Sequence, residues 1–214
     1  MARTSSPRTW PHSLKLLFEV SRVEPFSYRF EITWKTNNDL VADASIIRHF
    51  ETAWIPGLLQ TPAYARAVFT EMANMHVLDV RNEDSAVAAR LARQPHLYDP
   101  SKRFEFILCE PVLRWRTVPN DVLLPQFDRL LMITELPNVR FGIVPLDRHL
   151  GMTPQNAFQI YDNVAVIETF AGETYFESAE SAAYLRIMER LWLDVVTGAA
   201  ANEIIRNAMQ RLRD

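Results

Sequence analysis

The chain has 214 residues, 48% of them hydrophobic and 11% aromatic, enough apolar material for one sizeable core and one main domain. Its formal net charge of -3 supplies no large positive field for a phosphate backbone, so no specific nucleic-acid partner is expected. Cys109 is the only cysteine, which excludes an internal disulfide and all paired-cysteine metal spacings, and fits a reducing cytoplasm.

No apolar stretch reaches the roughly 18 uninterrupted residues of a membrane span, and MARTSSPRTWPHS lacks the apolar centre of a secretory signal. A cytoplasmic location is the expectation. Residues 1–13, rich in Ser, Pro and Arg and without a period, predict a flexible leader, and 14–214 a single domain.

In chain order, FSYRFEITWK (26–35) alternates aromatic or branched residues with polar ones and reads as a strand, with a helix as close competitor. Residues 37–39 read as a turn. In LVADASIIRHF the apolar positions 40, 41, 46, 47 and 50 are compatible with one face of a helix. IPGLLQTPAYAR (55–66) follows, with a Pro-Gly bend and then Thr61 ahead of Pro62, the N-cap and first-turn proline that start a helix from about 62 to 73. SAVAARLARQ (85–94) predicts a second helix, carrying Arg90 and Arg93 on one face and stopped by Pro95.

The second half has a clearer rhythm. RFEFILCE (103–110) reads as a buried strand, 120–136 as an amphipathic helix and NVRFGIVPL (138–146) as another buried strand, together a β-α-β unit. Strands at 156–161 and 163–170 flank the tight Asp162-Asn163 turn and predict a hairpin. Helices at about 178–197 and 200–213 finish the chain, with Gly198 as the stop between them. The fold class is α/β (α+β), a mixed sheet with a β-α-β unit and a hairpin, flanked by helices.

Such a crossover places the ends of its two strands on one edge of the sheet, where open sheets bind ligands. Glu110 stands at the first end with Arg114 and Trp115 beside it, and Glu168 lies near the end of a later strand. Glu110 could act as a general acid or base if apolar walls raised its pKa, or it could be a simple salt bridge to Arg114, four residues on. Gln60, Thr61 and Tyr64 could cap a helix and pack under the IPGLL loop. Thr61 suits that role, but Gln60, among apolar neighbours, needs partners and so is also a candidate pocket wall. Arg93 and Gln94 could add anion or amide contacts.

The five histidines make no H-x-x-x-H pair, so no metal is expected. There is no G-x-G-x-x-G, Walker or G-x-S-x-G motif and there are only five glycines, so no nucleotide cofactor is expected either. Apolar positions at 184, 187, 188, 191, 195 and 196 could bury an intramolecular seam or a homodimer contact.

At IPGLLQTPAYARAV the chain resembles the C-terminal domain, of uncharacterised chemistry, found in actinobacterial XRE-type, antitoxin-like transcriptional regulators. The resemblance continues through RLARQ (90–94), FILCEPVLRWR (106–116), LPQFDRLLMITELPNVRFGIVPL and VAVIETF, and covers about residues 40–195. It implies a domain that senses a small molecule or a partner protein, with Gln60, Thr61, Tyr64, Arg93, Gln94, Glu110 and Arg114 on the family's polar positions. Three departures stand out. Only the leader and FSYRFEITWK precede the domain, so no helix-turn-helix reader is expected; Val41 and Asp43 stand where two glutamates are common; Pro111 follows Glu110 where Ala is usual.

Two functions of different class follow. The first is a stand-alone module, derived from an antitoxin-like regulator, that binds a small molecule or a small partner protein. The second is a cofactor-independent biosynthetic enzyme that uses the same pocket for acid-base condensation or cyclisation, for example of Pictet-Spengler type, with Glu110 as the acid-base residue and Arg114 or Arg93 steering a carboxylate. In either case Gln60, Tyr64 and Glu110 are expected around one shared hollow.

Overall fold

The structure, a computed structural model, describes residues 37–75, 83–170 and 172–214. The leader and the FSYRFEITWK strand expectation lie outside them. Seven described strands form one sheet: β1 (Ile46–Glu51), β2 (Arg103–Cys109), β3 (Val139–Val144), β4 (Phe158–Tyr161), β5 (Val164–Thr169), β6 (Gly172–Phe176) and β7 (Val196–Thr197). Their spatial order is β6-β5-β4-β1-β2-β3-β7. β1, β2 and β3 are parallel neighbours, whereas β4, β5, β6 and β7 each join antiparallel. The sheet therefore changes from parallel to antiparallel between β1 and β4.

The helices are α1 (Pro62–Met75), α2 (Glu83–Ala92), α3 (Asn120–Ile133), α4 (Ser178–Leu191) and α5 (Gly198–Arg213), with a further helical segment at 37–43. The β-α-β unit is present as β2, α3 and β3, and the hairpin as β4 and β5. At the hairpin turn Asp162 takes φ 48, a left-handed conformation that Asx side chains tolerate. Its carboxylate accepts from the amides of Ser45 (3.1 Å) and Ile46 (2.8 Å), so the turn also fixes the start of β1.

Successive residues of a strand face opposite sides of the sheet, and the sheet buries both. One face carries Ile47, Phe104, Phe106, Phe141 and Ile143 against Val68 of α1, Phe127 and Leu130 of α3 and Ile205 of α5. The other carries Phe50, Ile107, Phe158, Ile160 and Ala165 against Met188 and Leu191 of α4. Of the apolar positions read as a seam near the C-terminus, Tyr184, Ile187, Met188, Leu191 and Val195 pack within the chain on this second face, and Val196 packs against the first.

Three expectations are corrected. The turn expected at 37–39 lies inside the helical segment 37–43. LVADASIIRHF is not one helix. The helical segment ends at residue 43, where the ammonium of buried Lys102 collects the Ala42 and Ala44 carbonyls at 2.6 Å each, and β1 begins at Ile46. Ile46 and Ile47 favour the extended chain, and a central strand buried on both faces has no alternation to announce it. Gly198, at φ 57, opens α5 instead of stopping the helix before it, because α4 ends at Leu191 and β7 intervenes. β6 and β7 were not foreseen: one contains a glycine and two polar residues, and the other is two residues long.

Candidate functional site

The IPGLLQT segment builds the wall of a cavity. Ile55, Leu58 and Leu59 are wholly buried, and a short 3-10 turn over Gly57–Leu59 carries the chain from β1 to α1. Thr61 caps α1, its hydroxyl accepting from the Tyr64 amide at 3.2 Å. Two neighbours clamp the loop. Gln126 of α3 accepts from the Thr61 amide (2.7 Å) and donates to the Leu59 carbonyl (2.9 Å), and Gln94 donates to the Gln60 carbonyl (2.6 Å) while accepting from Arg129 (3.0 Å).

Gln60, only 2% exposed, finds the partners its burial demands. Its Nε2 donates to the Ile55 carbonyl at 2.7 Å, and its Oε1 accepts from Arg90 Nη1 at 2.8 Å. Arg90 also lies 4.0 Å from the centre of the Phe69 ring, a cation-π contact. Burial first, then the neighbouring charge of Arg93, lowers the Arg90 pKa to about 10.

Beside this wall is a cavity of about 420 Å³, at the carboxyl end of β1. Its polar lining includes Glu51, Glu168, Glu173, Arg90, Arg93 and Asn37, and its apolar lining includes Trp54, Val68, Met72 and the largely exposed Phe170. Register explains why three carboxylates meet there. Glu51 follows Ile47 and His49 at spacing two; Glu168 lies two beyond Val166; Glu173 pairs with Glu168 and precedes Tyr175 by two. All three therefore share the face that carries Ile47, Val166 and Tyr175, the side covered by α1.

The electrostatics are unusual. Glu51 is 8% exposed, and no described residue gives it a hydrogen bond or an ion pair. Burial, then the nearby charge of Glu168, raises its pKa well above the ordinary carboxylate range, against the pull of Arg90. Glu173 accepts from Asn37 Nδ2 at 3.0 Å and from the Tyr175 hydroxyl, yet burial and Glu168 push its pKa up to about 7. Arg93 Nε and Asn37 Oδ1 are buried without a partner. Among the described residues, the ion pairs closer than 4.0 Å are Arg48–Glu105, Arg66–Asp84 and Arg114–Glu110, none of which lies in the cavity. The acids come from the sheet and the guanidinium groups from the end of α2. Also among the described residues, no three His, Cys, Asp or Glu side chains converge as metal ligands would.

The expected hollow shared by Gln60, Tyr64 and Glu110 is not what the structure builds. Gln60, Arg93 and Glu168 line the cavity; Thr61, Tyr64, Gln94, Glu110, Arg114 and Trp115 do not. Tyr64 is 3% exposed in the main core, where burial lifts its phenol pKa to about 12. Thr61 is a cap and Gln94 a clamp. Glu110 sits at the end of β2, bound through Oε1 to Arg114 Nε (2.9 Å) and through Oε2 to the Leu146 amide (2.9 Å). Partial burial works to raise its pKa, but the Leu146 amide and Arg114 outweigh this and hold it below the ordinary value. The salt-bridge alternative describes Glu110 better than the acid-base one. Arg114 is partly exposed beside it, and Trp115 is 52% exposed.

Sequence reasoning missed Glu51, Glu173 and Asn37, and noted Arg90 only for sharing a face with Arg93. Glu51 closes a strand whose pattern resembled a helix, and Glu173 lies in the unforeseen β6. The cavity lies at the carboxyl end of β1, one strand away from where Glu110 stands at the end of β2.

Fold and cavity define an α+β domain with a mixed sheet and a charged pocket at the end of its central parallel strand. Residues 35–207 match the model of the family described as Domain of unknown function (DUF5753), and the chain belongs to that family. No curated protein matches the chain. Among the described residues, no helix is long and apolar enough to cross a membrane.

Proposed function

We propose that the domain is a small-molecule-binding module and that the cavity beside Gln60 is its binding site. One observation carries this reading. Buried Glu51, the half-buried Glu173, Arg90 and Arg93 and the exposed Glu168 face a common space of about 420 Å³ with no ion pair closer than 4.0 Å among them. Leaving such groups unpaired is unfavourable in a stable fold, so their arrangement makes sense when a ligand supplies the missing partners. The volume falls within the roughly 300–1,000 Å³ usual for ligand sites, with apolar walls and a few placed polar groups. The resemblance to the sensing half of actinobacterial XRE-type, antitoxin-like regulators supports the same reading. A fragment library screened by thermal shift tests it: hits should stabilise the native chain and lose their effect in Ala157→Trp, which fills the cavity from the residue just before β4. Failure of every hit to depend on that substitution would remove the cavity as the site.

A second reading rests on Glu173, whose pKa of about 7 suits proton transfer near neutral pH, with Glu51, also raised by burial, beside it. In a cofactor-independent acid-base enzyme of condensing or cyclising type, these two would take the role first given to Glu110. Glu173→Gln would then keep ligand binding and lose turnover, while Glu110→Gln would keep both.

A further inference from the structure

We infer that the cavity's ligand is a zwitterion of the amino-acid kind, with a protonated amine and a carboxylate carried on an apolar body; this rests on reading the cavity as a binding site.

The two charge signs come from opposite parts of the lining. Glu51, Glu168 and Glu173 stand on β1, β5 and β6, whereas Arg90 and Arg93 come from the end of α2 and the residue just beyond it. An ammonium group is directed to the sheet side. Glu51 is more than nine-tenths buried, lines the cavity and lacks any hydrogen-bond or ion-pair partner among the described residues, so it is the acceptor most in need of a donor.

A carboxylate is directed to Arg93. Arg90 is already committed to Gln60 and to the Phe69 ring, but the buried Nε of Arg93 has no partner. Gly57 makes room for it: a Cβ there would lie 2.5 Å from Arg93 Nη2. A planar guanidinium suits a carboxylate through paired N–H donors.

The other ligand classes fit worse. A phosphate would meet three carboxylates for its two guanidinium groups, and these acids do not converge closely enough to ligate a metal ion. A ligand without a hydrogen-bond donor would leave Glu51 unpaired. The lining offers both signs, three acids on the sheet side and two guanidinium groups opposite, which matches a ligand that itself carries both signs. Trp54, Met72 and Phe170 offer the apolar surface for its body.

The test holds the apolar body constant and varies the charge. Calorimetry would measure tryptophan, tryptamine, indole-3-propionate and 3-ethylindole against the full chain, with the phenyl series of phenylalanine, phenethylamine, hydrocinnamate and ethylbenzene beside it. The zwitterion should bind tightest in at least one series and the amine next. Glu51→Gln should weaken the amine-bearing compounds by at least about tenfold, and Arg93→Gln should erase the zwitterion's advantage over the amine without weakening the amine itself. The ranking on the unmodified chain tests the inference even where a variant fails to fold. Tightest binding by an acid or a neutral compound overturns it, as does no amine binding at roughly millimolar concentration. If the neutral compounds bind and Ala157→Trp abolishes this, the charge assignment falls while the cavity reading stands.

Discussion

Arg90 Nη1 donates to Gln60 Oε1 across 2.8 Å, and this contact joins the IPGLLQT loop to the helix that brings both arginines to the cavity. The same amide holds the Ile55 carbonyl, so one buried side chain fixes the loop and aims a cation. Gln60→Ala would remove the hydrogen-bond partner of the Ile55 carbonyl and of Arg90 Nη1. Urea unfolding should show a loss of about 1–3 kcal/mol, and ligand affinity should fall with it.

Glu110→Gln separates structural from functional carboxylates. Its folded pKa lies below the ordinary 4.5, so its contribution is present above that value and is lost as pH falls through the folded one. The variant should therefore be less stable than the native chain by about 1–3 kcal/mol near neutral pH, and the difference should shrink in acid. Binding in the cavity should not change.

Glu173 has the opposite sign. Its pKa is raised from 4.5 to about 7, so between these values the folded state keeps a proton that the unfolded state releases, and stability falls as pH rises through that window. Glu173→Gln should stabilise the chain by about 1–2 kcal/mol above the window, with the gain disappearing below it. A site residue whose neutralisation stabilises the fold is what a binding role at the expense of stability predicts. Denaturant midpoints measured across the window read this directly.

His49 tests burial on the same face. It is 2% exposed, with both ring nitrogens unpartnered, and packs edge-on against Phe106 and Tyr161 at 5.5 and 5.9 Å. Burial, then the charge of Arg93, lowers its pKa from 6.5 to about 3, so the unfolded state takes up a proton in this window that the folded state refuses. Stability should fall by up to about 1.4 kcal/mol per pH unit on acidification there, partly offset by Glu173. His49→Phe should remove that slope and leave neutral-pH stability unchanged or raised.

Much of the sheet was legible because strands β2 to β5 are short apolar or alternating runs between turn residues. The site was harder to read. β1 is a central strand buried on both faces, so its pattern lacks alternation, and Glu51 at its end went unnoticed. Glu173 depends on β6, whose residues GETYF carry too little apolar signal to announce a strand. Arg90 and Arg93 were placed on one helix face by spacing alone. What lay across from them could not be read, because it is set by pairings such as Glu168 with Glu173 and Phe50 with Phe158, made between strands that are distant in sequence or joined only by a short turn.

Gly57→Ala isolates the arginine. The added methyl would meet the mobile tip of Arg93 at 2.5 Å, not backbone, so the side chain can move aside. Thermal stability should change by less than about 1 kcal/mol, while affinity for carboxylate-bearing compounds should drop.

The most direct measurement is a crystal structure of the chain grown with tryptophan. The account predicts the amine within hydrogen-bond distance of Glu51, the carboxylate on Arg93 and the ring against Trp54. A cavity closed by a direct ion pair between Arg93 and Glu168, with the amino acid bound elsewhere or absent, would contradict it.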